Sequence, residues 1–423
     1  MNILLKIKSL FKDTYPATTP LSNIYFFLLI ITILFFLRAP EIVTQFGRFW
    51  AEEGERWFRV SQKISTIEML TYTARNDNFN MFFTNFIFAL VKYIDPKFAP
   101  FFTTISSHFA TLFCIFIILK NNFYFYLSSR SRFLLCIIFF FASSNHPEIW
   151  LNTINTMSYF GMVIPFLIFT NFNSLSKKNL AFNIIFLFFA FSTSPYCMFV
   201  IPLFLLKYII TKSKLDLYIA VLGALILTYE LYVLISYASL DLINPKRLSI
   251  IQEFDFPIII YNYYKFLFFS IFGGNLLALL PINNLYLQVI FIIVILILLF
   301  KLNSKSKYSL IFLLLSIYIS IVVMNFSFNG SLVGRYGSAS MFIIYASLVI
   351  SMQNKRNLLA GIIIAFSIFT GTFYTLPVNT TIQKIFLSGP SWFDEYKKWE
   401  DDKNYEPLYW SGNNKKGTNI YDN

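Results

Sequence analysis

Three glutamates crowd into four positions of the stretch FWAEEGERWF, residues 49–58, where Glu52, Glu53 and Glu55 stand between Trp50 and Trp57. Carboxylates at that spacing suit removal of a proton from a hydroxyl, because burial and like charge together raise one of them toward neutrality. The competing reading is a solvated helix face on which Glu52 and Glu55 pair with Arg48 and Arg59. Position brings the two readings level, since the cluster follows directly on the first long apolar run.

Other clusters could serve such a base. ARNDNFN places Arg75 and Asp77 ahead of an apolar segment, where the guanidinium takes a lipid phosphate that Asp77 orients, or else snorkels to head groups. HPEIWLNTIN joins His146, Glu148, Asn152 and Asn155. His146 either titrates near neutrality or packs a loop, and Glu148 with the two asparagines either holds sugar hydroxyls or caps a helix after Pro147. GRYG sets Arg335 and Tyr336 between glycines, as an anchor for phosphate or pyrophosphate or as an interfacial Arg–Tyr anchor. The tail segments SGPSWFDEYKKWEDD and EPLYW suit stacking on sugar rings or capping of the bundle. His108 and His146 are the only histidines, too few for a His-rich metal site, and no phosphate-binding loop, nucleophile elbow or HExxH motif is present. No cofactor is firmly implied; the acidic residues could ligate a divalent metal, but no ligand set is evident.

The elements that must position these residues are membrane helices. The chain is 57% hydrophobic and 13% charged, whereas a soluble domain is nearer 45–50% and 25%. The net charge of +13 is scattered in short clusters between apolar runs, as the positive-inside rule expects, which argues against a nucleic-acid partner. Cys114, Cys136 and Cys197 lie inside apolar runs and read as small core residues. Basic residues before the first apolar run, without a cleavage site, predict a cytoplasmic amino terminus, residues 1–20.

Spans are expected at about Leu21 to Leu37, Phe101 to Leu119, Phe133 to Phe141, Ser158 to Thr170, Leu217 to Ile235, Leu285 to Phe300, Leu310 to Met324, Ser338 to Ile350 and Leu358 to Tyr374. Arg130 and Arg132, Lys177 and Lys178, and Lys212 and Lys214 mark the cytoplasmic side. Two short pieces, Ala181 to Ser192 and Tyr196 to Ile210, are broken at Ser194 and Pro195 and form a hairpin or line a cavity. Pro257 to Leu280 reads as re-entrant or interfacial, and MFFTNFIFALVKYI as an interfacial segment. The expected fold is all-α and polytopic: about eleven transmembrane helices over residues 21–374, a large periplasmic loop 38–100, and a periplasmic tail 375–423.

A long acidic first external loop, an odd span count and an outward tail together resemble the GT-C superfamily of membrane glycosyltransferases. More narrowly the chain resembles the serotype-converting O-antigen glucosyltransferases and a bacterial set with a W-x-E-D-G pattern in that loop, matched here by Trp50-Ala51-Glu52-Glu53-Gly54. Glu53 stands where the pattern has Asp, which leaves the base as Glu52 or Glu53. The resemblance also touches residues 147–155, the STSP break and Arg335-Tyr336. It implies a GT-C-like bundle in the bacterial inner membrane, with a periplasmic active site that moves a sugar, glucose in the type case, from undecaprenyl phosphate to a lipopolysaccharide acceptor. The leaving phosphate would be held by Arg335 or Arg75, and a flippase and a lipid-linked-sugar synthase would accompany the enzyme. The rivals are an O-antigen polymerase, which usually carries its large loop late in the chain, and a lipid-linked oligosaccharide flippase, which predicts related halves and charges within spans. Apart from Glu230, charge inside the expected spans is sparse.

Overall fold

The computed structural model describes residues 8–17, 19–38, 49, 53–73, 80–141, 152–239, 256–272, 284–304, 306–326, 337–353, 357–375, 391–402, 404, 405 and 407. Among them every regular element is helical, and the extended pairing amounts to two isolated antiparallel bridges, Tyr15 to Phe123 and Phe123 to Thr170. Long Leu, Ile and Phe runs choose helix because a helix satisfies its own backbone groups where no water can. Breaks fall where local chemistry dictates. Pro100 opens α4 (Ala99–Lys120), where a missing N–H costs nothing, and Asn284 caps α11 (Leu285–Asn303) by accepting from the Tyr286 and Leu287 amides.

Among the described residues four helices are long and apolar enough to cross a membrane: Pro96–Lys120, Lys214–Val233, Leu285–Asn303 and Lys307–Met324. A fifth arises if Lys177–Thr193 and Tyr196–Thr211, bent by 115° at the break, count as one span. Shorter apolar helices, such as Leu21–Leu37, Thr156–Ile168 and Ser338–Met352, make up most of the rest.

Hydrogen bonds between connections sort the helix ends into two groups. At one end an amino-terminal strap, residues 8–17, lies across the turns after α4 and α6 (Thr156–Ile168): Tyr15 exchanges backbone bonds with Phe123, and the Asn122 carboxamide reaches Ser174. The same end holds the start of α12 (Lys307–Phe326), whose Tyr308 hydroxyl donates to Leu10 O, and the residue after α13 (Ser338–Met352), Gln353, which accepts from Ser128 N. At the opposite end sit the first loop, the start of α6, the break between α7 (Lys177–Thr193) and α8 (Ile201–Thr211), and the tail helix α15 (Trp392–Asp401). Both α7 and α8 therefore run between the two ends and turn at Ser194. Gly161 makes room for that turn: a Cβ there would stand 2.8 Å from the Tyr196 ring. α10 (Phe256–Phe272) ends against the middle of α13, where Tyr345 donates its hydroxyl to Ser270 O.

Three features have surroundings that the sequence alone does not indicate. Arg132 is fully buried, donates to the carbonyls of Ile118, Asn121 and Leu127, and lies over the Phe123 ring. A cation against the carboxyl end of α4 meets the negative pole of that helix. Lys207, inside an apolar run, is also buried; it forms an ion pair with Asp216 at 2.9 Å and donates to Thr170 O. The segment expected in the interface forms α3 (Phe82–Val91), and protein covers most of its circumference, including Phe83, Asn85, Phe88 and Val91.

Candidate functional site

Residues Glu53–Phe58 form a π-helical turn. An i→i+5 turn is wider than an α turn, so Glu53, Trp57 and Phe58 share one face, whereas α geometry would swing Phe58 well away from it. All three are buried, Glu53 completely. The solvated-face reading of the acidic cluster therefore fails at Glu53.

What meets Glu53 is the second loop. Thr153 donates its backbone N–H and its hydroxyl to Glu53 Oε1, at 2.6 and 2.7 Å. Thr153 lies three residues ahead of the first residue of α6, so the carboxylate also stands at the positive pole of that helix. The turn is braced from within. Asn155 N–H donates to Asn152 Oδ1 at 2.8 Å, and Ser107 of α4 donates to Asn152 O at 2.8 Å. Asn152 and Asn155 are both buried; the Asn152 carboxamide oxygen shapes the turn, and Asn155, at the head of α6, makes no side-chain cap.

A second set of bonds leads away from Trp57. Its indole N–H donates to Asn85 Oδ1 at 3.0 Å, and the Asn85 amide donates to Tyr72 O and Asn80 Oδ1, both at 2.6 Å. Asn80 N–H donates in turn to Glu230 Oε2, 2.9 Å away on α9 (Lys214–Ser239). Glu230 is 4% exposed, and its other oxygen has no hydrogen-bond partner among the described residues. Phe83 N–H donates to Thr193 Oγ1 at 2.8 Å, tying the start of α3 to the α7–α8 break. Buried polar groups thus connect loop one, loop two, α3, α9 and the broken pair, in keeping with the need of each buried donor for a partner.

The tail closes this end. Trp392 is buried, donates its indole N–H to Pro96 O at 3.0 Å and packs edge-on to Phe49 and Phe58. The cap reading of the tail accounts for this ring.

Of the expected site residues, Glu53, Asn152 and Asn155 come together. Glu52, Trp50, Arg75, Asp77, His146, Glu148, Arg335 and Tyr336 lie outside the described residues. Sequence reasoning passed over Thr153, Asn80 and Asn85. The last two had a signal, two amides five residues apart at the head of an apolar helix. Among the described residues no group of three or more His, Cys, Asp or Glu converges on a metal site. His108 packs face-on to Phe35, with Nε2 at 3.1 Å from the Thr32 hydroxyl.

Among the described residues, fold and site define an all-helical protein with four or five helices long and apolar enough to cross a membrane and a buried polar cluster at one end. Comparison with protein-family models, curated proteins and solved structures finds no match.

Proposed function

We propose that the chain is an eleven-span glycosyltransferase of the bacterial inner membrane. It moves a sugar, glucose in the type case, from undecaprenyl phosphate to a surface polysaccharide such as O-antigen on the periplasmic face. The observation that supports this reading best is Glu53: a fully buried carboxylate at the mouth of the long first loop, oriented by Thr153 from the second. Glu53 is then the base in preference to Glu52. An acceptor hydroxyl passes its proton to the Glu53 carboxylate while its oxygen attacks the anomeric carbon. The bond from that carbon to the phosphate oxygen breaks, and undecaprenyl phosphate departs with the electron pair. Arg335 and Arg75 are the proposed partners of its charge.

The test is sugar transfer to surface polysaccharide in cells making the protein at matched membrane abundance. Glu53→Gln is expected to lower transfer by about 10²-fold or more, the scale of a lost general base, and Glu52→Gln to leave most of it. Full activity in both variants would sink the mechanism.

Export of a lipid-linked oligosaccharide is the second reading, favoured by Glu230, a buried carboxylate within a span. Transport that survives Glu53→Gln and fails in Glu230→Gln would select it.

A further inference from the structure

We infer that the strap end of the bundle carries a binding site for a phosphate-bearing headgroup of an anionic lipid, formed by Lys8 and Lys12 over a cavity between the strap and the turns after α6 and α8. The cavity has a volume of about 280 Å³, near the lower end of ligand-sized pockets. It therefore suits a headgroup rather than a whole lipid.

The strap is firmly held, so its lysines have a defined place. Lys307 Nζ donates to Ser9 O at 2.8 Å, the Tyr308 hydroxyl donates to Leu10 O at 2.8 Å, and Ala17 N–H donates to Asn122 Oδ1 at 3.0 Å. Asn171, on the cavity wall, donates its amide to the Thr14 hydroxyl at 2.7 Å, which fastens strap to wall.

The charge balance leaves the site cationic. Lys8 and Lys12 are exposed on the rim and form no ion pair among the described residues. Asp13 stands beside Lys12 in sequence but pairs with neither lysine. Asp216, the acid behind the wall, is already committed: it forms the ion pair with Lys207 and accepts the hydroxyl of Thr211, a lining residue. Two ammonium groups with six N–H donors between them thus outnumber the one uncommitted acid of the strap, Asp13, and basic recesses between membrane helices are where anionic headgroups settle.

The surroundings select a lipid over free phosphate. Ile210 and Thr211 of α8 line the cavity, and the same helix presents Leu205, Leu206 and Ile209 outward, each between 41 and 49% exposed. On α9, packed against α8, Tyr218 and Val221 are also exposed. An acyl chain can therefore run down these helices from a headgroup held at the strap.

Full-length protein purified in non-ionic detergent would be titrated with phosphatidylglycerol, with phosphatidylethanolamine and with inorganic phosphate. Bound lipid is counted by native mass spectrometry, and the thermal midpoint is followed in parallel. Phosphatidylglycerol is expected to bind and raise the midpoint, and Lys8→Gln/Lys12→Gln to weaken that binding about thirtyfold. Lys177→Gln/Lys178→Gln removes the same charge from the same end, outside the cavity, and is expected to bind like wild type. An equal loss in both double variants would overturn the site in favour of general surface charge. Equal binding of phosphatidylethanolamine would overturn the requirement for net negative charge, and an equal effect of inorganic phosphate would overturn the lipid assignment. The midpoint without lipid reports whether the Lys8/Lys12 variant is folded. If it is not, Asn173→Asp, which adds a negative charge to an exposed lining position, must weaken phosphatidylglycerol binding for the inference to stand.

Discussion

The two ends of this bundle treat their buried charges differently. At the strap end Lys207 is matched by Asp216 and Thr170 O, and Arg132 by carbonyls at the end of α4, with its Nη2 left without a hydrogen bond among the described residues. At the loop end Glu395 is matched by Lys398 and Tyr405, Glu53 Oε1 accepts from the N–H and O–H of Thr153, and Glu230 accepts one backbone N–H, its second oxygen having no hydrogen-bond partner among the described residues. Matched charges hold a fold together and have little left to offer a ligand. A buried carboxylate with spare capacity is a cost that a structural role alone does not explain. Under the proposed function, Glu230 marks the loop end as the place for chemistry, whereas the Lys207–Asp216 pair at the strap end serves stability.

The most damaging way to test that division is Lys207→Met. It strands Asp216 in a dry site and is expected to cost about 3–5 kcal/mol, as removal of one partner of a buried ion pair does. Lys207→Met/Asp216→Leu should recover most of the loss, because the pair itself contributes little beyond cancelling its own desolvation. Thermal unfolding of the purified protein in detergent measures both. A single variant as stable as wild type would mean that the strap end does not depend on matched charge.

Trp392→Ala comes next, at roughly 3 kcal/mol for a buried indole. This loss is expected to fall on the tail, because Pro96, Phe49 and Phe58, which the ring meets, lie at the loop end. Limited proteolysis should cut the tail of the variant first and leave the helices intact. Loss of the whole fold would show that the cap supports more than its own end.

Much of the helical frame was legible. The run expected from Leu21 to Leu37 is α1 (Leu21–Arg38), that from Phe101 to Leu119 lies within α4, and the break at Ser194 is where α7 stops. These are local matters of apolar length and of a proline that cannot continue a helix. The site was legible only as far as one residue type at one spacing. That Glu53 turns inward depends on the π-helical register and on Thr153, one hundred positions away in sequence. The burial of Lys207 and Arg132 was not legible for the complementary reason: a charge in or beside an apolar run shows its place only once its partner, Asp216 or a helix end, is in position.

Glu230→Gln sharpens the comparison because it should barely move stability. The amide keeps an oxygen for Asn80 N–H, so a change within about 1 kcal/mol is expected, against several for Lys207→Met. A loss as large as at Lys207 would make Glu230 a structural charge like those at the strap end, and the loop end would lose half of its claim to chemistry.

The smallest effect concerns a carboxylate of the loop end that is exposed. Glu68 Oε2 accepts from Ser65 N–H at 2.7 Å while Glu68 N–H donates to Ser65 Oγ, a capping box at the start of α2 (Thr66–Leu70). The Ser65 backbone bond, then the Ser65 side chain, hold the Glu68 carboxyl below its ordinary value of 4.5. A carboxyl whose folded pKa is depressed adds stability that is fully present above the unfolded value and disappears as pH falls through the folded one. Protection of the α2 amides, corrected for intrinsic exchange, should therefore weaken on acidification below about 4.5. In Glu68→Gln that acid response should vanish, since the amide accepts from Ser65 N–H at any pH. An identical acid response in both proteins would place its origin in a different carboxylate, and buried Glu53, which faces the same loop from within, would be the next to replace.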